Sequence, residues 1–423
     1  MPNLLLSDVT ATLREITLPY VQDNFPKEAI LLDKMKRGAD MEIMNDEFLV
    51  PVYTTRHGGV ANLANDGNNV ISSGGRNTSR ATVPVEIITG ALNISKLTID
   101  ASKNSTLAVQ NNLTAQTETL TKDFARQVNR QLYSDGVGVV SMVRETGGSV
   151  GTGTIAVEAI NASIDDGRVF DYYGTVNGDI SPTKYFAVDQ IVGVGTAGAA
   201  DGTVTGVTGT SIVVGAPTAI VTAANDSIYI QDGSGEGAGT SELLGIRAAL
   251  SSTTGTNTYA GLARNVVGWT PQFGSVSEAL TFKRMSDTYT ALREYADKGD
   301  TILILVNKTP YNKYGELLTS MRREINTLDL TGGWDGLAFQ AGNSKVAVVL
   351  DYDVPDGEVL FINLSTWSIC QVSDVNWMED PGGNGGGLLR LQSTIQYQAV
   401  MHWFVNVVCR QPAGNGKQTR KTG

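Results

Sequence analysis

The stretch from Ser105 to Tyr133, STLAVQNNLTAQTETLTKDFARQVNRQLY, constrains this chain more than any other. Leu113, Leu120, Phe124, Val128 and Leu132 recur at steps of seven and four, so an α-helix carries them as one apolar stripe. Arg126, Gln127, Asn129 and Arg130 then turn away from that stripe. Ser105 suits the N-cap, and Gly136 after Asp135 suits a left-handed stop. At ~1.5 Å per residue the helix is about 40 Å long. One moderate stripe on so long a helix predicts a strut laid across a domain, not a helix enclosed in a core.

A chain of 423 residues has room for two or three compact units. Apolar residues at 41 % and charged residues at 18 % supply a core and argue against disorder. The 47 glycines, with many Thr and Val, point to strands and turns. No run approaches the ~18–20 apolar residues of a membrane span. The opening MPNLLLSDVT has no basic region before its three leucines, so it does not read as a secretory signal. Cys370 and Cys409 are too few for a disulfide framework or a zinc site and read as small buried hydrophobes in a reducing compartment.

The net charge of −11 is unevenly placed. Residues 144–240 hold eleven acidic side chains against Arg144, Arg168 and Lys184, which puts most of the excess in that segment. Phosphate would repel it. The tail Lys417–Lys421 is a small basic patch, read as a solvated end with nucleic-acid contact as the sharper alternative. Nucleic-acid recognition is not the main task of such a chain.

Residues 8–22 and 27–37 read as two short helices parted at Phe25–Pro26, an arm too poor in apolar residues to form its own core. Glu47–Thr55 reads as a strand that Pro51 restricts to an edge. Thr82–Ile99 is a second strand region, whose alternation slips phase near Gly90 as a bulge would make it do. Between them Arg56–Arg80 is polar and rich in Gly and Asn, longer than compact domains usually tolerate. It reads as an arm for a neighbouring subunit, against the alternative of a floppy surface loop.

In 144–240, apolar runs at Thr154–Val157, Tyr185–Val194, Thr203–Val207, Ser211–Val214 and Ser227–Ile230 alternate with turn signals, an all-β pattern. Glu278–Lys298 then predicts a helix with Leu280, Met285, Leu292 and Tyr295 on one side and Gly299 as its stop. Thr301–Val306 is a buried strand, Thr309–Arg323 a helix with Pro310 in its first turn, and Val346–Leu350 and Val359–Leu364 are further strands. Asp380–Gly387 reads as a mobile loop, and Leu388–Val408 as a long strand region.

No catalytic constellation emerges, and the chain reads as a non-enzyme without cofactor or metal. The two histidines stand apart: His57 in the polar loop, and His402 in an apolar strand, where it reads as a satisfied core or sheet-edge side chain. Gly193–Gly198 matches GxGxxG, but no helix-forming sequence follows, so a dinucleotide site is excluded. The pairs Asp165/Asp166 and Asp351/Asp353 sit at turns, which explains them.

This order of parts resembles the major capsid proteins of tailed bacteriophages, the Hong Kong 97 fold. The helix exit Asn129–Gly136 (NRQLYSDG), the stretch Glu242–Ile246 (ELLGI) and Tyr259–Arg264 (YAGLAR) are similar in wording to that family. The resemblance implies an α+β fold with an N-terminal arm over 1–46, an extended-loop hairpin over 47–99, and a spine helix with peripheral domain over 100–143. A β-rich acidic insertion domain would follow over 144–240, and the return to the peripheral domain over 241–277. An axial domain at 278–378 and an axial loop, peripheral strands and basic tail at 379–423 complete it.

The family's function would be a shell of pentamers and hexamers, an icosahedral phage head enclosing double-stranded DNA without sequence-specific binding. The resemblance further implies a virion protein made in the bacterial host cytoplasm, working with a portal, a scaffolding protein and a cement protein, and with no membrane. Candidate inter-subunit contacts are Arg56, Asn62, Asn65, Asp66, Arg76 and Arg80. Two features depart from the family. Residues 56–80 lack the lysine that some members crosslink to a neighbour's asparagine, and the arm begins almost at Met1, which implies a separate scaffold or none. An encapsulin-like compartment, or a β-rich tail component or adhesin, are the alternative readings.

Overall fold

The computed structural model describes residues 30–37, 42–53, 78–95, 106–134, 136, 139–143, 149–158, 191–194, 201–207, 211–221, 227–230, 242–251, 258–266, 268–276, 280–297, 299–320, 327–330, 334–341, 344–354, 358–378, 389–390 and 396–420. The proposed helix over 8–22, the N-cap Ser105 and the glycine loop 380–387 lie outside them. The described residues form a mixed α/β structure with two larger sheets, a β-barrel and one long helix.

The first sheet is organised on Gln396–Cys409. Along one side this strand pairs antiparallel with Glu86–Ser95; along the other it meets Trp367–Gln371, Asn376–Trp377 and Leu389–Arg390. The helix Thr106–Leu132 crosses this sheet. Ala399, Met401, Trp403 and Val405 alternate onto the buried face, in one core with Phe124, Val128 and Leu132. Gly90 lies under the crossing. A Cβ there would sit 3.2 Å from Leu120 Cδ1 and 3.5 Å from Phe124.

The predicted bulge at Gly90 is therefore corrected. Pairing with the long strand runs unbroken from Glu86 to Ser95. The phase changes at Val85, where the chain leaves one sheet for another: Ala81 and Val83 are buried before it, Glu86 and Ile88 after it. Before the switch, Thr78–Pro84 forms a hairpin with Glu47–Tyr53. That strand is central rather than an edge, because Glu42–Met44 pairs on its other side. That third strand ends opposite Leu49, so Pro51 has a neighbour on one side only, and the missing N–H costs no ladder bond.

The helix is less of a strut than its stripe suggested. Its last turn is enclosed all round: Asn129, Arg130 and Gln131 are buried with Val128 and Leu132. It ends by tightening, with Tyr133 and Ser134 N–H donating to the carbonyls of Arg130 and Gln131. Gly136 does have positive φ (86°), but it lies beyond that end and turns the exit instead. Phe124→Asp should abolish soluble protein, because the carboxylate would be buried against Gly90 and the sheet; solubility after expression measures it. Leu120→Asp, at a half-buried site, should lower the yield less.

Of the predicted helix 27–37, residues 27–29 lie outside the described residues and Ile30–Lys34 is helical. Lys36–Arg37 is drawn instead into a parallel pair with Ser368–Ile369, while Leu31, Leu32 and Met35 join the main core.

The second sheet has seven strands, in the order Gln272–Val276, Gly416–Arg420, Glu358–Asn363, Ile302–Val306, Ser344–Leu350, Trp334–Ala341 and Thr327–Leu330. The uninterrupted apolar run of 302–306 is explained by burial on both faces. Ile302, Ile304 and Val306 meet helices Phe282–Arg293 and Lys308–Ser320; Leu303 and Leu305 face the main core. Met285, Tyr289 and Leu292 bury the first helix, whereas Tyr295, placed on that side by its spacing, is 42 % exposed. The helix stops at Arg293, ahead of Gly299.

The tail overturns its reading as a solvated end. Gly416–Arg420 is an inner strand, parallel to 272–276 and antiparallel to 358–361. Lys417 is 5 % exposed and Gln418 6 %.

Strands Val139–Val143, Ser149–Glu158, Ile191–Val194, Asp201–Val207, Ser211–Val221 and Ser227–Ile230 close into a barrel. Val192, Val204, Ile212, Val214 and Ile228 are buried in it. Gly193 belongs to its strand 191–194, which supports rejection of the dinucleotide match.

Candidate functional site

The carboxyl end of the long helix, the hairpin and both sheets converge on one buried polar joint. The ELLGI segment seats on the helix end at Gly245, where a Cβ would lie 2.5 Å from the carbonyl oxygens of Gln131 and Ser134 and 2.7 Å from that of Leu132. Glycine is required there by contact, whatever the backbone angle. Arg247 N–H then donates to Ser134 O at 3.2 Å. Three residues before the seat, the Glu242 carboxylate pairs with the fully buried Arg130 guanidinium. Asn129 Nδ2 donates to Asp353 Oδ2 at 2.6 Å, and the Tyr133 hydroxyl to Asp351 Oδ2 at 2.8 Å.

Asp353 N–H does donate to Asp351 Oδ1 at 2.9 Å, as turn chemistry predicts. Turn chemistry is only part of their role, since both side chains are buried and grip the helix. Burial, and then the neighbouring Asp353, push the Asp351 carboxyl above its usual range. Asn129 and Arg130 thus point into the joint instead of away from it.

The hairpin enters through Asn406. Its Oδ1 accepts from Leu244 N–H at 2.8 Å and its Nδ2 donates to Pro84 O at 2.7 Å, tying three segments together. Glu86, two residues past Pro84, is buried beside Glu242. The YAGLAR segment holds the hairpin from the other side. Ala260 and Gly261 both have positive φ, Thr82 N–H donates to Ala260 O at 2.9 Å, and a Cβ on Gly261 would come within 2.5 Å of Thr82 Oγ1. Arg264 donates to Ala249 O at 2.6 Å with its guanidinium 5.0 Å from the Tyr259 ring.

A second buried charge group joins this assembly to the seven-stranded sheet. Glu358 Oε1 lies 2.6 Å from Lys417 Nζ and 3.6 Å from Arg247 Nη2, and all three residues are at most 5 % exposed. These groups were missed because their partners stand more than fifty residues apart in sequence. The loose ELLGI and YAGLAR wording was the available signal.

Of the six residues singled out for subunit contacts, Arg80 is exposed on the hairpin opposite Pro51. Arg56, Asn62, Asn65, Asp66 and Arg76 lie outside the described residues, as does His57. His402 is inside the sheet, between Thr89 and Asn376, and is only partly satisfied: its buried Nδ1 has no partner, and its ring meets Phe404 edge-on at 5.1 Å. Cys370 and Cys409 are free buried thiols, each pushed up to about 12 by burial. No group of three His, Cys, Asp or Glu among the described residues could hold a metal ion.

The outer face of the first sheet exposes several large apolar side chains. Ile87 pairs with Phe404, whose carbonyl accepts from Val372 N–H; Ala91 pairs with Val400, whose carbonyl accepts from Met378 N–H. Two apolar rows therefore cross three strands, with Ile87 57 %, Val372 52 % and Met378 45 % exposed.

No protein-family model matches the sequence. No curated protein matches it either. Among solved structures, phage capsid structures resemble the chain. The cyanophage A-1(L) capsid asymmetric unit has a TM-score of 0.49 and 11 % identity, covering 92 % of this chain and 91 % of that one. The capsid of a native GTA particle gives 0.42 and 10 %, with 100 % and 93 % covered. The holo-SrpI encapsulin complex of Synechococcus elongatus is also similar, at 0.41 and 9 % with 92 % and 86 % covered.

Proposed function

We propose that this chain is a shell-forming structural protein, the major capsid protein of a tailed phage. The observation that carries this reading is the bare apolar face formed by Ile87, Phe404, Val372, Val400 and Met378, beside a hairpin that projects from the same sheet junction. Exposed rows of this kind mark association surfaces. In a shell, neighbouring copies would cover them, and stability would come from many moderate interfaces acting together. The finer assignment follows the Hong Kong 97 arrangement, with the hairpin as extended loop, the long helix as spine and the barrel as an acidic domain facing away from the DNA. Pentamers and hexamers would enclose double-stranded DNA without reading its sequence, with a separate scaffold, a portal and a cement protein as partners.

Electron microscopy of the purified chain, expressed alone and with a scaffold, tests the reading. Closed shells or capsomer rings are expected, and nuclease-protected DNA in native particles separates a phage head from an encapsulin-like compartment. A monomer that stays inert with scaffold and crowding agents would overturn it. Deleting Asn62–Gly75 should leave a soluble, cooperatively folded subunit, because the described core contains none of these residues. The same variant should form no normal shells by microscopy.

A further inference from the structure

We propose that Asp351, Asp353 and Asn129 form a calcium site that clamps the end of the long helix to the second sheet. The two acids flank Tyr352 in the turn after strand Ser344–Leu350, and Asn129 reaches them from helix Thr106–Leu132. Asn129 Nδ2 lies 2.6 Å from Asp353 Oδ2, and the same side chain hydrogen-bonds Asp351, so the amide sits against both carboxyls. Asn129 is 6 % exposed, and its buried Oδ1 has no hydrogen-bond partner. Burying an unanswered amide oxygen costs free energy, which a cation held by that oxygen recovers. Rotation about the last torsion of Asn129 brings Oδ1 to the two carboxylates in place of Nδ2.

The donors are all oxygens, two of them anionic and one neutral. Such a set suits calcium, which takes carboxylate, amide and water oxygens at ~2.3–2.6 Å in flexible geometry. It does not suit zinc, which prefers nitrogen and sulfur. With only two acids it is also invisible as a cluster of three titratable ligands.

The turn is fixed before an ion arrives. Asp351 N–H donates to Val306 O at 3.0 Å, Asn307 Nδ2 to Val354 O at 2.5 Å, and the Tyr133 hydroxyl to Asp351 Oδ2 at 2.8 Å. Tyr352 is 62 % exposed, so the acids beside it lie one residue below the surface and an ion enters through the turn. Two buried carboxyls this close oppose each other's ionisation, which the raised Asp351 carboxyl reflects. The donors Tyr133 and Asn129 are neutral and only reduce that repulsion, whereas a divalent cation reverses it. The clamp belongs to the subunit alone and holds whether or not the chain builds a shell.

Thermal melting of the intact chain in about 10 mM calcium chloride tests the site, against magnesium chloride and against sodium chloride of equal ionic strength. Calcium should raise the midpoint by about 5 °C over sodium, as a site of roughly 0.1–1 mM affinity would. Magnesium should raise it less, because it gives up its water reluctantly. Asp353→Asn and Asn129→Leu should each abolish the calcium response. Equal midpoints in calcium and sodium, a magnesium shift as large as that of calcium, or a calcium response retained by either variant would overturn the proposal. Terbium luminescence of the wild type, excited through the adjacent Tyr133, guards against variants that do not fold. Sensitised emission displaced by millimolar calcium is expected, and emission that is missing or that calcium leaves unchanged also overturns the site.

Discussion

Truncation after Asn415 is expected to destroy the fold, although it removes only eight residues of a basic tail. The lost strand lies between 272–276 and 358–363, so both neighbours lose a ladder at once. At ~1 kcal/mol net per backbone hydrogen bond, the two ladders are worth several kcal/mol, a large part of the ~5–15 kcal/mol that holds a typical domain together. Other losses add to this. Gln418 Nε2 no longer donates to Thr288 Oγ1 (2.6 Å) and Arg284 O (2.7 Å), which join the sheet to helix 282–293. Among the described residues, Glu358 keeps Arg247 alone as a cationic partner, at 3.6 Å. The truncated chain should be insoluble or, if recovered, should show no cooperative melt by circular dichroism. A variant lacking only residues 421–423 should match the full chain. Equal melting of the chain ending at Asn415 and the full chain would mean that the tail is the solvated end its composition suggests.

That contrast shows what was legible. Periodicity located the elements whose burial alternates: the long helix, the run 302–306, helix 282–293 and several barrel strands at their stated positions. It failed where burial is polar. Lys417 looks like a solvated charge because its partner Glu358 is far away in sequence, and Arg130 falls off the apolar stripe although it is wholly enclosed. It also failed where one strand serves two sheets. The phase slip in 82–99 was visible, but Gly90 attracted the explanation, and its true constraint is the helix crossing above it. Pro51 correctly announced a one-sided position, yet the strand around it is central because a short third strand stops before reaching it. Of the proposed contact residues, Arg80 is exposed on the hairpin, while the joint beneath the hairpin had no local signature beyond the glycines at 245 and 261 and the loose wording around them.

Arg130→Leu is expected to be among the most damaging single substitutions in the chain, with a cost of about 3–5 kcal/mol near pH 8, as for other buried pairs broken from one side. The leucine fills apolar space but leaves the carboxyl of Glu242 buried without its cation, next to Glu86. The damage should depend on pH. With Glu86 protonated and the pH lowered toward 5, the uncompensated charge diminishes, so the gap between variant and wild type in denaturant unfolding should narrow. The charge, not the lost volume, is identified by the double substitution Arg130→Leu with Glu242→Leu. Removing both partners leaves no stranded charge, and much of the stability should return, as it does when buried ion pairs are replaced by apolar side chains. A double variant as unstable as Arg130→Leu alone would instead assign the loss to packing at the helix end, where Gly245 and the carbonyls of residues 131, 132 and 134 leave little room for adjustment.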